Sequence, residues 1–194
     1  LNLSFQSMTN YTRMGFKKIK APPKVFNLIS SFWEANQDKR YIEWKDITVY
    51  HNLWDAPPTI ADVQNASLPG GGHYLREAIW SAAKDILEEW TGTYLAPCSI
   101  WGVRSYHNNS ILAPHVDRNP LVSSAIINVA QDVDEDWPLE VWGHDGKPYN
   151  ITMEPGTKKQ ENRVLTLEST HQSKKLSANI ALLFLFGYRR HGTL

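Results

Sequence analysis

One of the seven histidines in this 194-residue chain is followed two positions later by a carboxylate, in His115-Val116-Asp117. Residues i and i+2 of a strand share a face, so a strand through this motif would present an imidazole and a carboxylate side by side. Those groups are two of the three in the two-histidine, one-carboxylate triad that holds non-haem iron and leaves positions open for a chelating cosubstrate and oxygen. The plainer reading is a surface histidine beside a loop aspartate. Other chemistry is poorly supported. Cys98 has no motif around it and falls in an apparent strand, which favours a buried structural thiol over a nucleophile. Gly70-Gly71-Gly72 precedes a helix but lacks the Gly-Lys-Ser/Thr or GxGxxG pattern of a phosphate cradle, and reads as a loop. The tryptophans, Trp33, Trp80, Trp90, Trp101, Trp137 and Trp142 among them, read as packing side chains.

The elements that would position the motif follow from hydrophobic period. Val25, Phe26, Leu28, Ile29, Phe32 and Trp33 lie at helical spacing behind Pro22-Pro23, which predicts an amphipathic helix within 22–39. Leu75, Ala78, Ile79, Ala82, Ala83, Ile86, Leu87 and Trp90 predict a second, longer helix that closes near Gly92. Past Gly92 the period falls towards two, in runs at 99–106, 111–116, 122–130, 138–142, 149–153, 163–168 and 179–186. Asp145-Gly146 marks a hairpin and Glu154-Pro155-Gly156-Thr157 a further turn. The expected fold is mainly β with N-terminal helices, a double-stranded β-helix of the jelly-roll or cupin-like kind. A helical cover would occupy about 20–92 and a β barrel about 93–190 of a single domain, 8–194. Residues 1–7, ahead of Met8, read as the remnant of a cleaved tag.

Composition narrows the function classes. Twenty basic and twenty acidic residues leave no net charge, so no basic field draws the chain to nucleic acid. The longest apolar run, Ile180 to Phe186, is seven residues, far short of the roughly 20 that cross a bilayer. A single cysteine excludes an internal disulfide, and no basic-then-apolar leader is visible, so a cytoplasmic setting is expected.

The stretch from Tyr106 through His115-Val-Asp117-Arg118 has a Tyr-x8-His-x-Asp layout that resembles the prolyl 4-hydroxylase-like branch of the Fe(II)/2-oxoglutarate dioxygenases. The resemblance continues through Leu121 to Ala130, Asp134 to Val141 and Thr152 to Gly156. It implies an iron(II) cofactor and 2-oxoglutarate as cosubstrate. It also implies hydroxylation of a peptidyl (prolyl) or related substrate, a peptide or a small molecule, with release of succinate and CO2. His115 and Asp117 match the first two iron ligands, and Tyr106 matches a tyrosine that helps hold the far carboxylate of 2-oxoglutarate. For Tyr106 the bland alternative is a barrel-lining aromatic with a satisfied hydroxyl, and Arg118 is best read as a solvated arginine.

By the same resemblance a distal histidine follows the Pro-Gly turn on a later strand. His171 fits, with Glu168-Ser169 echoing the family's Glu-Ser pair, and His191 in the tail is its rival. A basic residue should then receive the far carboxylate, and Lys174 and Lys175 are the nearest. The family usually carries His-Gly-Arg there, where this chain has His171-Gln-Ser-Lys-Lys175, and 157–163 also departs from the family pattern. Either the branch is divergent or the last third carries a sequence error. The competing expectation is therefore a catalytically inactive cupin-like binding or interaction module.

Overall fold

The computed structural model describes residues 10–43, 56–108, 110, 121–134, 136, 138–153, 164–168 and 179–189, the last two segments and Val122 as backbone only. The described elements run β1 (Phe16–Lys20), α1 (Pro23–Asn36), β2 (Tyr41–Ile42), β3 (Thr59–Ala61), α2 (His73–Thr91), β4 (Leu95–Tyr106), β5 (Leu121–Asp132), β6 (Pro138–Trp142), β7 (Pro148–Thr152), β8 (Val164–Glu168) and β9 (Asn179–Arg189). Both helices form where the apolar stripes predict them. Pro23 opens α1, where a missing N–H costs nothing. Gly92 ends α2 in the left-handed region at φ 64°, its N–H donating to Glu88 O at 2.8 Å. The buried faces are Val25, Phe26, Ile29 and Phe32 on α1, and Ile79, Trp80, Ala83 and Leu87 on α2.

Seven strands form an antiparallel sheet in the order β1-β8-β5-β9-β4-β3-β2, and β6 pairs with β7 in a separate hairpin. Two of these strands, β2 and β3, lie in the part read as helical cover, and β1 lies just ahead of it. The N-terminal region thus supplies both edges of the large sheet. Two- and three-residue strands such as β2 and β3 are too short to show a period, and β1 carries three lysines in five residues, as befits an edge. The hairpin closes at Asp145-Gly146 as expected, with Gly143 N donating to Lys147 O at 2.9 Å and Lys147 N to Asp145 Oδ1 at 3.1 Å. The expected strand at 111–116 and the turn at 154–157 fall outside the described residues. Among the described residues the fold is mostly β with two helices, and the two sheets do not join into one closed barrel.

Alternation along β5 sorts the core into two clusters. Ala125, Ile127 and Val129 pack with the helices, while Ile126 packs with Leu139 and Val141 of β6 and Ile151 of β7. The large sheet thus lies between a helical layer and the hairpin, and β5, an interior strand, is apolar on both faces. The N-terminal segment straps the hairpin: His144 N donates to Met14 O at 3.0 Å, and Lys18 Nζ to Thr152 O at 2.6 Å.

Two expectations about single side chains are overturned. Cys98 is exposed rather than buried, because the pairing of β4 with β9 shifts register between Pro97 and Ser99. Trp101 is 39% exposed rather than core, on a strand whose next shift falls between Ile100 and Gly102. Trp80 is buried, and Trp33 and Trp90 pack against the core as expected, whereas Trp137 lies outside the described residues.

That second shift depends on Gly102. Its φ is +121°, and an added Cβ would lie 2.5 Å from Ala61 O and 2.9 Å from Asp62 Cα, both backbone of the neighbouring segment. Gly102→Ala is therefore expected to cost at least about 1–3 kcal/mol in backbone strain, read as a melting temperature lowered by roughly 2 °C or more. An unchanged melting temperature would show that β3 gives way without cost.

Candidate functional site

Beyond Gly102 the alternation of β4 resumes with Val103 towards the helices and Tyr106 among the side chains between sheet and hairpin. Arg104 shares the Tyr106 face by strand period. Tyr106 is 1% exposed and packs with Ile126, Leu139, Val141, Ile151 and Met153. Its hydroxyl oxygen accepts from Arg104 Nη1 at 3.3 Å, and Arg104 Nη2 donates to Glu43 Oε1 at 2.5 Å. Glu43 lies just past β2, and its Oε2 is buried with no hydrogen-bond partner among the described residues. Nearby on β5, Asn128 is fully buried and its Nδ2 donates to Met153 O at 3.0 Å and to Gln131 Oε1 at 2.7 Å.

The electrostatics follow from this packing. Burial by itself pulls the Arg104 pKa down, but Tyr106 and Glu43 beside it raise it, and the net direction is up. The guanidinium stays charged. Burial raises the Tyr106 pKa, and Arg104 offsets this only in part. The phenol is therefore a neutral hydrogen-bond donor across the physiological range.

The sign of the pH dependence is direct. The folded phenol keeps its proton above the unfolded value of about 10, so stability is full below about pH 10 and falls as pH rises towards the folded pKa. Tyr106→Phe lacks this contribution, so its melting temperature is expected to approach that of the wild type as pH rises above about 10. A gap that stays constant over this range would contradict the raised pKa.

The chain leaving β4 is anchored to the β3 side. His107 Nε2 and Thr59 Oγ1 are 3.0 Å apart, Ser110 N donates to His107 O at 2.9 Å, and Ser110 Oγ to Ala56 O at 2.8 Å. His115 and Asp117 follow in 111–120, outside the described residues, as do Arg118, His171, Lys174, Lys175 and His191. Among the described residues no group of three His, Cys, Asp or Glu could hold a metal. Register places the ends of the flanking strands. Glu168, which ends β8, pairs with Ser124 near the start of β5, whereas Tyr106, which ends β4, pairs with Ile180 at the opposite end of the sheet. Tyr106 and Leu121, the described strand ends on either side of the segment that holds His115 and Asp117, thus lie at opposite ends of the sheet.

Of the six expected site residues the structure describes Tyr106 alone. It adds Arg104 and Glu43, which sequence reasoning missed. Arg104 had a readable signal, a lone charge in the strand Ile100-Trp-Gly-Val-Arg-Ser-Tyr106 at i, i+2 from a tyrosine. Glu43 had none, because its partner is 61 positions away.

No family model matches the chain, and no curated protein matches it by sequence. Solved structures do. A prolyl hydroxylase from Trichoplax adhaerens, in complex with a hypoxia inducible factor oxygen degradation domain peptide fragment, superposes with a TM-score of 0.61 at 14% identity, covering 90% of this chain and 84% of that one. A Pseudomonas putida prolyl-4-hydroxylase gives a TM-score of 0.54, also at 14% identity, over 91% of this chain and 94% of that one. No helix of the described residues is long and apolar enough to cross a membrane.

Proposed function

We propose that this chain, whose fold is that of the prolyl hydroxylases, is a non-haem iron(II) and 2-oxoglutarate-dependent oxygenase acting on a peptide. The observation that carries the reading is the coincidence of that fold with Tyr106, buried on the inward face of β4 nine residues before His115. The double-stranded β-helix expected from the sequence belongs to this reading. The peptide substrate class is carried over from the first neighbour, which is in complex with a peptide fragment.

The residues fit the groups the reading requires. Two imidazoles and a carboxylate suit iron(II), and His115, Asp117 and His171 would supply them. Bound together, iron(II) and 2-oxoglutarate supply oxidative decarboxylation to succinate and CO2 coupled to hydroxylation of a substrate C–H bond. A buried dicarboxylate needs hydrogen-bond donors and cations to offset its desolvation. Tyr106 presents a neutral phenol inside an apolar wall, and Lys174 and Lys175 are the basic residues that would assist it at the far carboxylate. Ile126, Leu139, Val141 and Ile151 around Tyr106 keep water from the same space.

Calorimetric titration with Mn(II) and then 2-oxoglutarate, followed by a succinate assay with iron(II), tests the reading. Binding of both with succinate release is expected. Binding of neither, with a cooperative melt unmoved by either, would favour an inactive cupin-like module.

A further inference from the structure

We propose that the groove between α1 and the loop ahead of α2 is a docking site for an acidic amphipathic helix of a partner protein. The groove lies in the helical layer, across the large sheet from Tyr106, so the inference stands apart from the oxygenase reading.

One wall comes from α1. Lys24, Leu28, Ser31, Phe32 and Ala35 recur every third or fourth residue and form a single stripe about 16 Å long. Leu28 and Phe32 pack down onto the core, while Ser31 and Ala35 are exposed. The opposite wall is Pro69, Gly70 and Leu75. The space between them is about 780 Å³. Ser31, Ala35 and Gly70 are small, which lets a helix axis approach closely and seat its side chains between the walls. A small-ligand site buries most of its ligand, whereas this groove is open along Ser31 and Ala35 and suits a macromolecule.

The walls are fixed before anything docks. Asn36, fully buried one turn beyond Phe32, donates from Nδ2 to Phe32 O at 2.8 Å and to Pro69 O at 2.9 Å, which ties the loop to α1. Within the loop, Gly71 N donates to Leu68 O at 2.9 Å and Gly72 N to Val63 O at 2.8 Å. An added Cβ at Gly71 would lie 3.3 Å from Phe32 Cε2, so the loop backbone already sits against α1. A preformed groove spares a partner the cost of ordering it.

Charge selects the occupant. Lys24 is the only charged side chain of the lining, and it stands in the first turn of α1, which holds no acidic residue. The helix dipole adds positive potential at the same end. At the other end Lys39 Nζ donates to Ala35 O at 2.7 Å, but Asp38 Oδ1 lies 3.7 Å from it and offsets its charge. The groove is thus apolar along its length and positive at one end. An amphipathic helix with carboxylates at one end is its complement, and a basic helix is repelled by Lys24.

Fluorescence anisotropy of the full chain with labelled helical peptides of about 16 residues tests this. The first peptide carries leucines along one face and three glutamates at one end. In one control lysines replace the glutamates, and in another serines replace the leucines. The glutamate peptide should bind at least about 10-fold more tightly than either control. Ser31→Trp, which fills the groove, should weaken it by at least about 10-fold. Lys24→Glu should weaken it about 3- to 10-fold and strengthen the lysine peptide. Should Ser31→Trp fail to fold, Lys24→Glu at the exposed end of α1 carries the comparison. Equal binding of glutamate peptide and controls, or an affinity unmoved by both variants, would overturn the inference. Tighter binding of dodecanoate, or self-association of the chain that Ser31→Trp abolishes, would assign the groove to a lipid-like anion or to a second copy and overturn it as well.

Discussion

Asp117→Ala is expected to remove most of the metal-dependent stabilisation of this protein and 2-oxoglutarate binding with it. The substitution removes one of three proposed protein ligands together with its negative charge. Losing even an outer partner of a ligand costs about 10–100-fold in metal affinity, so loss of a ligand itself should cost at least the upper end of that range. At a Mn(II) concentration about 100 times the dissociation constant, an intact site stabilises the fold by about 2.7 kcal/mol. A site weakened about 100-fold retains only about 0.4 kcal/mol at the same concentration. Without metal the variant should melt at or slightly above the wild-type temperature, because a carboxylate gathered for a cation is desolvated or repelled when the cation is absent. An aspartate that merely caps a turn or pairs with Arg118 predicts the reverse, a loss of about 0.5–2 kcal/mol with no link to metal. Melting curves of wild type and variant, with and without Mn(II), separate these cases. A metal-dependent stabilisation that survives the substitution would remove Asp117 from the site and most of the oxygenase reading with it.

Glu43→Ala is expected to give the largest loss of stability among substitutions near the site, about 3 kcal/mol. Removing one partner of a buried ion pair costs roughly 3–5 kcal/mol because the other charge is left without compensation, and the Tyr106 contact places the effect at the lower end. Glu43→Leu combined with Arg104→Met removes both charges. That double variant should lie within about 1 kcal/mol of wild type, or above it, since a well-packed apolar pair often replaces a buried salt bridge without loss. Urea unfolding of the two variants reads the contrast. If the double variant were as unstable as Glu43→Ala, packing volume rather than charge would explain both.

Local pattern accounts for the parts of the fold that were legible in advance. The stripes on α1 and α2 bury one face each, so their 3.6-residue period is written in the sequence. The hairpin at Asp145-Gly146 is a turn whose hydrogen bonds close within a few residues. The His115-x-Asp117 pair could be singled out because its i, i+2 spacing along the chain itself suggests chemistry, and Tyr106 through the resemblance of the layout around it to a known family. Tertiary structure decided what depends on partners distant in sequence. β2 and β3 exist because a longer strand, β4, lies beside β3 to pair with it. Cys98 and Trp101 are turned outward by shifts in the pairing of β4 with β9, some 85 residues on, and no local period records such a shift. Glu43 enters the site only because the sheet brings the end of β2 beside Arg104. The surface side chain that its composition suggests thereby becomes half of a buried ion pair, whose charge is tolerable only because its partner arrives from the other side of α2.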